Sequence, residues 1–117
     1  ACLNPIDVIG DAPVERNEVA IRAAMEDPNV DCLLVIFLFQ SPALDAAKAV
    51  EMVASINEAY DKPLVVCAPG GPHAKKHARL MEERGVPVFD SPEEAVLALE
   101  GLVLFGKAKF KASNSRS

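Results

Sequence analysis

The chain has 117 residues, half of them hydrophobic and a quarter charged, with a formal net charge of −5 at pH 7. That length suits one domain around a single core, and the negative balance argues against nucleic acid or an anionic membrane as the main partner. No apolar run reaches the roughly 20 residues of a membrane-spanning helix, and no signal peptide opens the chain, so no membrane partner is expected.

The chain begins at Ala1, without methionine, and enters a strand pattern within a few residues, which reads as a piece of something longer. Residues 5–9 (Pro-Ile-Asp-Val-Ile) form a short extended run closed by Gly10, Asp11, Ala12 and Pro13. Glycine and proline mark a loop there, with Pro13 suited to the first turn of a helix. The spacing predicts that helix over about residues 13–26, with Ala20, Ile21, Ala24 and Met25 as its inner stripe. Asp27, Pro28 and Asn29 end it. Residues 32–39 (Cys-Leu-Leu-Val-Ile-Phe-Leu-Phe) are eight apolar residues in a row. They are too few to cross a bilayer and rich in β-branched and aromatic types, the signature of a parallel strand buried on both faces. Gln40, Ser41 and Pro42 break the run.

A helix over about residues 43–60 follows, with Ala46, Ala49, Val50, Val53, Ile56 and Tyr60 at helical spacing. Residues 63–68 form a second buried strand, and Pro69, Gly70, Gly71 and Pro72 its exit loop. The next helix, about 73–84, is expected to bury Ala74, Ala78, Leu80 and Met81, with Gly85 in the left-handed position beyond its end. Residues 87–89 form a short last strand. Ser91, Pro92 and Glu94 then supply an N-cap, a proline in the first turn and a capping-box glutamate. The final helix carries Val96, Leu99, Leu102 and Val103, and order is expected to fade after Phe105. Residues 107–117, with Lys107, Lys109, Lys111 and Arg116, form a basic tail expected to be disordered. Strands alternating with helices predict an α/β fold with a parallel sheet covered on both faces.

Three loops leave strand ends on one edge: 10–13, 40–42 and 69–72. Each precedes a helix, so free backbone N–H groups and the positive helix end face a common space suited to a carboxylate or phosphate. Ligands bind along that edge in open α/β sheets. The competing reading is that glycine and proline only make the turns. No loop matches a dinucleotide fingerprint or a Walker P-loop. His73 and His77 lie four apart near a helix start, with Lys75, Lys76 and Arg79 nearby. Two histidines without a third ligand make a weak metal signal, and a solvated basic face is the simpler reading. Asp11 stands on the ligand edge, where a helix cap competes with a binding role. Cys2, Cys32 and Cys67 have no metal-ligand spacing. The two in strand patterns read as small core residues, in a reducing and hence cytoplasmic compartment. No catalytic set assembles, and no metal site is expected.

The ordered pieces Asn4-Pro5-Ile6-Asp7, Gly10-Asp11-Ala12, Glu15-Arg16, Asp27-Pro28-Asn29, Lys62-Pro63-Leu64-Val65-Val66, Gly85-Val86-Pro87-Val88-Phe89 and Ser91-Pro92-Glu93 resemble NDP-forming acyl-CoA synthetases, relatives of succinyl-CoA synthetase. The resemblance covers about residues 4–105. It implies the flavodoxin-like ligase domain, partial here over residues 1–106. It also implies an enzyme that reversibly converts acyl-CoA, phosphate and ADP into carboxylate, CoA and ATP through a phosphohistidine. CoA, ADP or ATP, phosphate and Mg would serve the whole enzyme, and none is expected to be bound by this chain itself. The implied partners are CoA-binding and ATP-grasp domains or subunits, with a small carboxylic acid or acyl phosphate as ligand. Neither His73 nor His77 matches the phosphohistidine motif, so no catalytic residue is carried over.

By position, the resemblance makes Gly10, Asp11, Ala12, Gln40, Ser41, Gly70 and Gly71 the substrate-binding candidates. Gln40 and Ser41 stand where succinyl-CoA synthetase has glycines, which favours a smaller, monocarboxylic acid. The isolated chain is expected to be inactive. Two other readings are a non-catalytic assembly module and a stand-alone small-anion-binding domain; only the ligase predicts CoA-thioester turnover once the missing domains are added. The resemblance also implies an earlier strand and helix ahead of Asn4. In the flavodoxin-like order 2-1-3-4-5, residues 5–9 would then lie one place away from 32–39, with a gap to be filled by upstream chain, by another copy, or by residues 5–9 moving in.

Overall fold

The structure, a computed structural model, describes residues 5–10, 13–39 and 45–104. The elements are β1 (Pro5–Gly10), α1 (Val14–Glu26), β2 (Cys32–Phe37), α2 (Ala46–Ala59), β3 (Leu64–Cys67), α3 (Pro72–Glu83), β4 (Val88–Phe89) and α4 (Pro92–Leu104). All strand pairs are parallel and the order is β1-β2-β3-β4. This is the expected α/β, flavodoxin-like arrangement. The tail 107–117 and the fading of order after Phe105 lie outside the described residues.

The position of β1 corrects one expectation. Residues 5–9 do not stand one place from the central strand. Pro5 pairs with Cys32 and Gly10 with Phe37, in continuous parallel register. The physical reason is the fate of the β2 backbone. Leu33 donates its N–H to Pro63 O at 3.0 Å, toward β3. In a parallel strand alternate residues face opposite neighbours, so Leu34 and Ile36 turn their amides toward β1. A buried polar group without a partner costs about 1–3 kcal/mol, and β1 satisfies these groups directly.

Strand order also decides where the helices go. Each step from β1 to β4 moves the same way across the sheet, and right-handed crossovers then place α1, α2 and α3 on one face. Their apolar stripes meet Leu33, Val35, Phe37, Leu64 and Val66 in the larger core cluster. Among the described residues only α4 covers the other face, where Ala95 and Leu99 pack on Cys32, Leu34, Val65 and Cys67. The alternation of Leu33, Val35 and Phe37 against Cys32 and Leu34 explains why β2 is apolar throughout.

The helix stripes depart from expectation in detail. In α1 the buried residues are Val14, Asn17, Ile21, Ala24 and Met25, with Ala20 exposed. In α3 they are Ala74, His77 and Met81, while Leu80 is 40 % exposed. In α4, Ala95 and Leu99 are buried, and Val96 faces outward. The errors share a cause: in a helix with apolar residues on more than one face, spacing alone leaves the inward face undetermined. Local signals did better. Ser91 Oγ accepts from Glu94 N at 3.2 Å, and Asp45 caps α2 by accepting from Lys48 N at 3.2 Å. Gly85 has φ 87°, the left-handed conformation expected after α3.

Cys32 is disulfide-bonded, which the cysteine spacing did not suggest. Cys67 is free and buried in the smaller core, and burial, aided by the carboxylates of Asp90, Glu93 and Glu94, pushes its thiol up. Among the described residues no helix is long and apolar enough to cross a membrane.

The two leucines of α4 test the layer arrangement. Leu99 is 2 % exposed and Leu97 68 %. Leu99→Ala is expected to destabilise by about 2–5 kcal/mol, and Leu97→Ala by no more than about 0.5 kcal/mol, as read from urea unfolding midpoints.

Candidate functional site

With every strand parallel, the carboxyl ends of β1, β2 and β3 share one edge. Gly10 ends β1 and pairs with Phe37, the last residue of β2. Ile36 pairs with Cys67, which ends β3. Gly70 and Gly71 follow, and Gly71 is the N-cap of α3. The sheet thus places Gly10, Gly70 and Gly71 along one edge. Asp11, Ala12, Gln40 and Ser41 lie outside the described residues.

The turn after β3 depends on its glycines. Gly70 has φ 140°, a conformation that side chains with a Cβ rarely adopt. Gly71 is extended (φ −90°, ψ −150°) and caps α3 through its backbone alone. Its carbonyl accepts from Lys75 N at 3.0 Å, the first bond of the helix. The N–H groups of His73 and Ala74 come before that bond and have no partner within the helix. A Cβ built on Gly71 would meet nothing within 4 Å, so the approach is open. The first turn of α3 holds no acidic residue. Lys75, Lys76 and Arg79 form no ion pair among the described residues.

A ring cluster stands beside this helix end. Phe39, just past β2, is 3 % exposed and stacks on His77 with centroids 5.3 Å apart and planes at 27°. His73 meets His77 edge-on at 4.6 Å. His77 is 7 % exposed, so the solvated-face reading fails for it, although His73 is exposed. Its Nδ1 lies 2.9 Å from the carbonyl oxygen of His73. A carbonyl can only accept, so Nδ1 is the donor in this contact. The signal for this residue was present in the sequence. Ala74, His77 and Met81 are spaced three and four apart, on one helix face.

The opposite edge is tied down by structural bonds. Tyr60 OH donates to Glu26, and Lys62 Nζ donates to Ala24 O at 3.2 Å and Asp27 O at 2.7 Å. Asn57 donates to Gly85 O at 3.4 Å. These contacts close the end of α1 and hold α2 against the turn into β4. Arg84 reaches from beyond α3 to Glu51 at 2.9 Å and Glu58 at 3.4 Å. Each of these groups is held by its neighbours, whereas at the strand-exit edge the first-turn N–H groups of α3 have no intrahelical partner.

Two grooves flank β4. An apolar one of about 430 Å³ is lined by Val86, Pro87, Val88, Phe89, Ala98 and Leu102. A polar one of about 300 Å³ has Lys75 and Arg79 along with Asp90 and Glu94. Neither includes one of the substrate-binding candidates, although the polar groove holds Lys75 and Arg79 of the basic cluster beside the histidines. No group of three or more His, Cys, Asp or Glu side chains able to hold a metal occurs among the described residues.

A family model described as the Ligase-CoA domain matches residues 1–115. Acetate–CoA ligase (ADP-forming) I subunit alpha of Pyrococcus furiosus is 36 % identical over 110 residues, covering 92 % of this chain and 24 % of the relative. Acetate–CoA ligase (ADP-forming) I of Archaeoglobus fulgidus is 34 % identical over 108 residues, covering 92 % of this chain and 15 % of the relative. A second Pyrococcus furiosus protein, acetate–CoA ligase (ADP-forming) II subunit alpha, is 30 % identical over 108 residues, with 88 % and 23 % covered. The chain therefore spans about a quarter or less of these curated relatives.

The two glycines before α3 have different duties. Gly70→Ala is expected to cost about 1–3 kcal/mol through backbone strain. Gly71→Ser is expected to gain a few tenths of a kcal/mol, because serine is a better N-cap and has room. Thermal unfolding of both variants measures the difference.

Proposed function

Because this chain belongs to the Ligase-CoA domain family, we propose that it is one domain of an ADP-forming acid–CoA ligase. The reaction of the whole enzyme is the reversible conversion of acyl-CoA, phosphate and ADP into carboxylate, CoA and ATP. The family match over residues 1–115 carries this reading. The common strand-exit edge supports it by giving the domain a place to meet ligand.

In this reading the chain supplies one wall of the acyl and phosphohistidine pocket. Gly10, Asp11 and Ala12 contribute the first loop, Gln40 and Ser41 the second, and Gly70 and Gly71 the third. Backbone N–H groups at helix starts hold a negative group without needing a charged side chain. Gln40 and Ser41 narrow the space relative to glycine and favour a small monocarboxylic acid. CoA, the adenine nucleotide and Mg are held by CoA-binding and ATP-grasp domains or subunits. The outer face of α4 supports a domain that docks: Val96 is 43 % and Leu97 68 % exposed, in a helix that is apolar on several sides.

The test is reconstitution. The chain is supplied with the CoA-binding and ATP-grasp parts of an ADP-forming acetate–CoA ligase, and acetyl-CoA breakdown is followed with ADP and phosphate. Turnover that needs all three parts is the expected result. Thioester formation by the isolated chain, or none in the assembled set, would contradict the division of labour.

A further inference from the structure

We propose that the chain's own C-terminal segment, residues 107–112, docks in the apolar groove beside β4, with Phe110 as its anchor. The groove, of about 430 Å³, runs along the outer edge of the sheet, since β4 is the last strand among the described residues. Pro87, Val88 and Phe89 form one wall, and Ala98 and Leu102 of α4 the other. Glu82, exposed near the end of α3, is its one charged lining residue among those described.

The edge itself is open. Pro87 O accepts from Val66 N and Phe89 O from Ala68 N, both at 2.9 Å. Alternate residues of a parallel strand face opposite sides, so Val88 turns its N–H and C=O away from β3. An uncovered edge of this kind invites pairing with a foreign strand, and apolar walls beside it strengthen that tendency.

Position, pattern and charge single out the tail as the cover. Leu102 lines the groove and α4 ends at Leu104. Phe110 follows six residues later, and six extended residues span up to about 20 Å. So short a connection gives the tail a high effective concentration at the groove, which favours it over a second copy. Residues 107–112 read Lys-Ala-Lys-Phe-Lys-Ala. In an extended segment neighbours point to opposite sides, so Ala108, Phe110 and Ala112 share one side and the three lysines the other. Residues 105–117 hold four of the 12 Lys and Arg and none of the 17 Asp and Glu, so a chain of net −5 carries −9 on residues 1–104. A basic segment is drawn to such a body, and Glu82 at the rim forms no ion pair among the described residues. Composition alone reads this tail as disordered; the groove gives its apolar side a place to be buried.

Handedness sets the mode of contact. α4 lies on the face opposite the other three helices. A regular parallel strand added outside β4 would therefore close a left-handed crossover, which is rare. The anchor is the Phe110 ring, packed against Phe89, Val88 and Leu102, and not a fifth strand.

The experiment uses the full 117-residue chain with labelled valine and leucine methyls. The expected result is a set of nuclear Overhauser contacts from the Phe110 ring to the methyls of Val88 and Leu102, unchanged on about tenfold dilution. Phe110→Ala should remove these contacts and shift the groove methyls, while those of Val53 in the larger core stay in place. The wild-type contacts are read even if that variant folds poorly. Absence of the ring contacts, with groove methyls unmoved by Phe110→Ala, would overturn the docking. So would contacts that fade on dilution, since they would belong to a second copy. Either result leaves the ligase reading untouched.

Discussion

The pairing of β2 on both sides is the constraint on which the rest depends. Leu33, Val35 and Phe37 face three helices, and Cys32 and Leu34 face α4. A strand buried on both faces cannot send backbone groups to water, so each amide and carbonyl must find a strand neighbour. β3 supplies one side and β1 the other. Once those two strands are parallel to β2, the exits of all three fall on one edge. The helix starts that follow are aimed at a common space.

That requirement also separates the two ends of the sheet. At the strand starts, Lys62, Tyr60 and Asn57 are consumed in holding α1, α2 and the turn before β4. At the strand exits the first turn of α3 keeps its donors, and His77 keeps one ring nitrogen, without a described partner. An edge with open donors is where binding costs least rearrangement.

Much of this was legible in the sequence, for identifiable reasons. The apolar run over residues 32–39 is too short for a core helix and rich in β-branched and aromatic types, which marks a strand covered on both faces, and the strand occupies Cys32–Phe37 of it. Ser91 and Gly85 announce their helix ends because N-cap and left-handed positions admit few residue types. The neighbour of β2 was not legible. Strand order is set by which partner satisfies its backbone, and residues 5–9 and 32–39 carry no sign of their pairing. His77 was misread as part of a solvated face, although Ala74 and Met81, three and four residues away, mark a buried stripe, and only the structure shows its Nδ1 bonded to the His73 carbonyl. The disulfide at Cys32 had no signal in spacing.

Native-state hydrogen exchange on β2 tests the central claim most directly. Leu33 donates to Pro63 on the β3 side, and by alternation Val35 faces β3 while Leu34 and Ile36 face β1. If β1 lies directly beside β2, the amides of Leu34 and Ile36 are protected to the same degree as those of Leu33 and Val35, at the level of global unfolding. Strong protection of Leu33 and Val35 with rapid exchange of Leu34 and Ile36 would show that side of β2 to be unpaired, and would contradict the sheet on which the common edge rests.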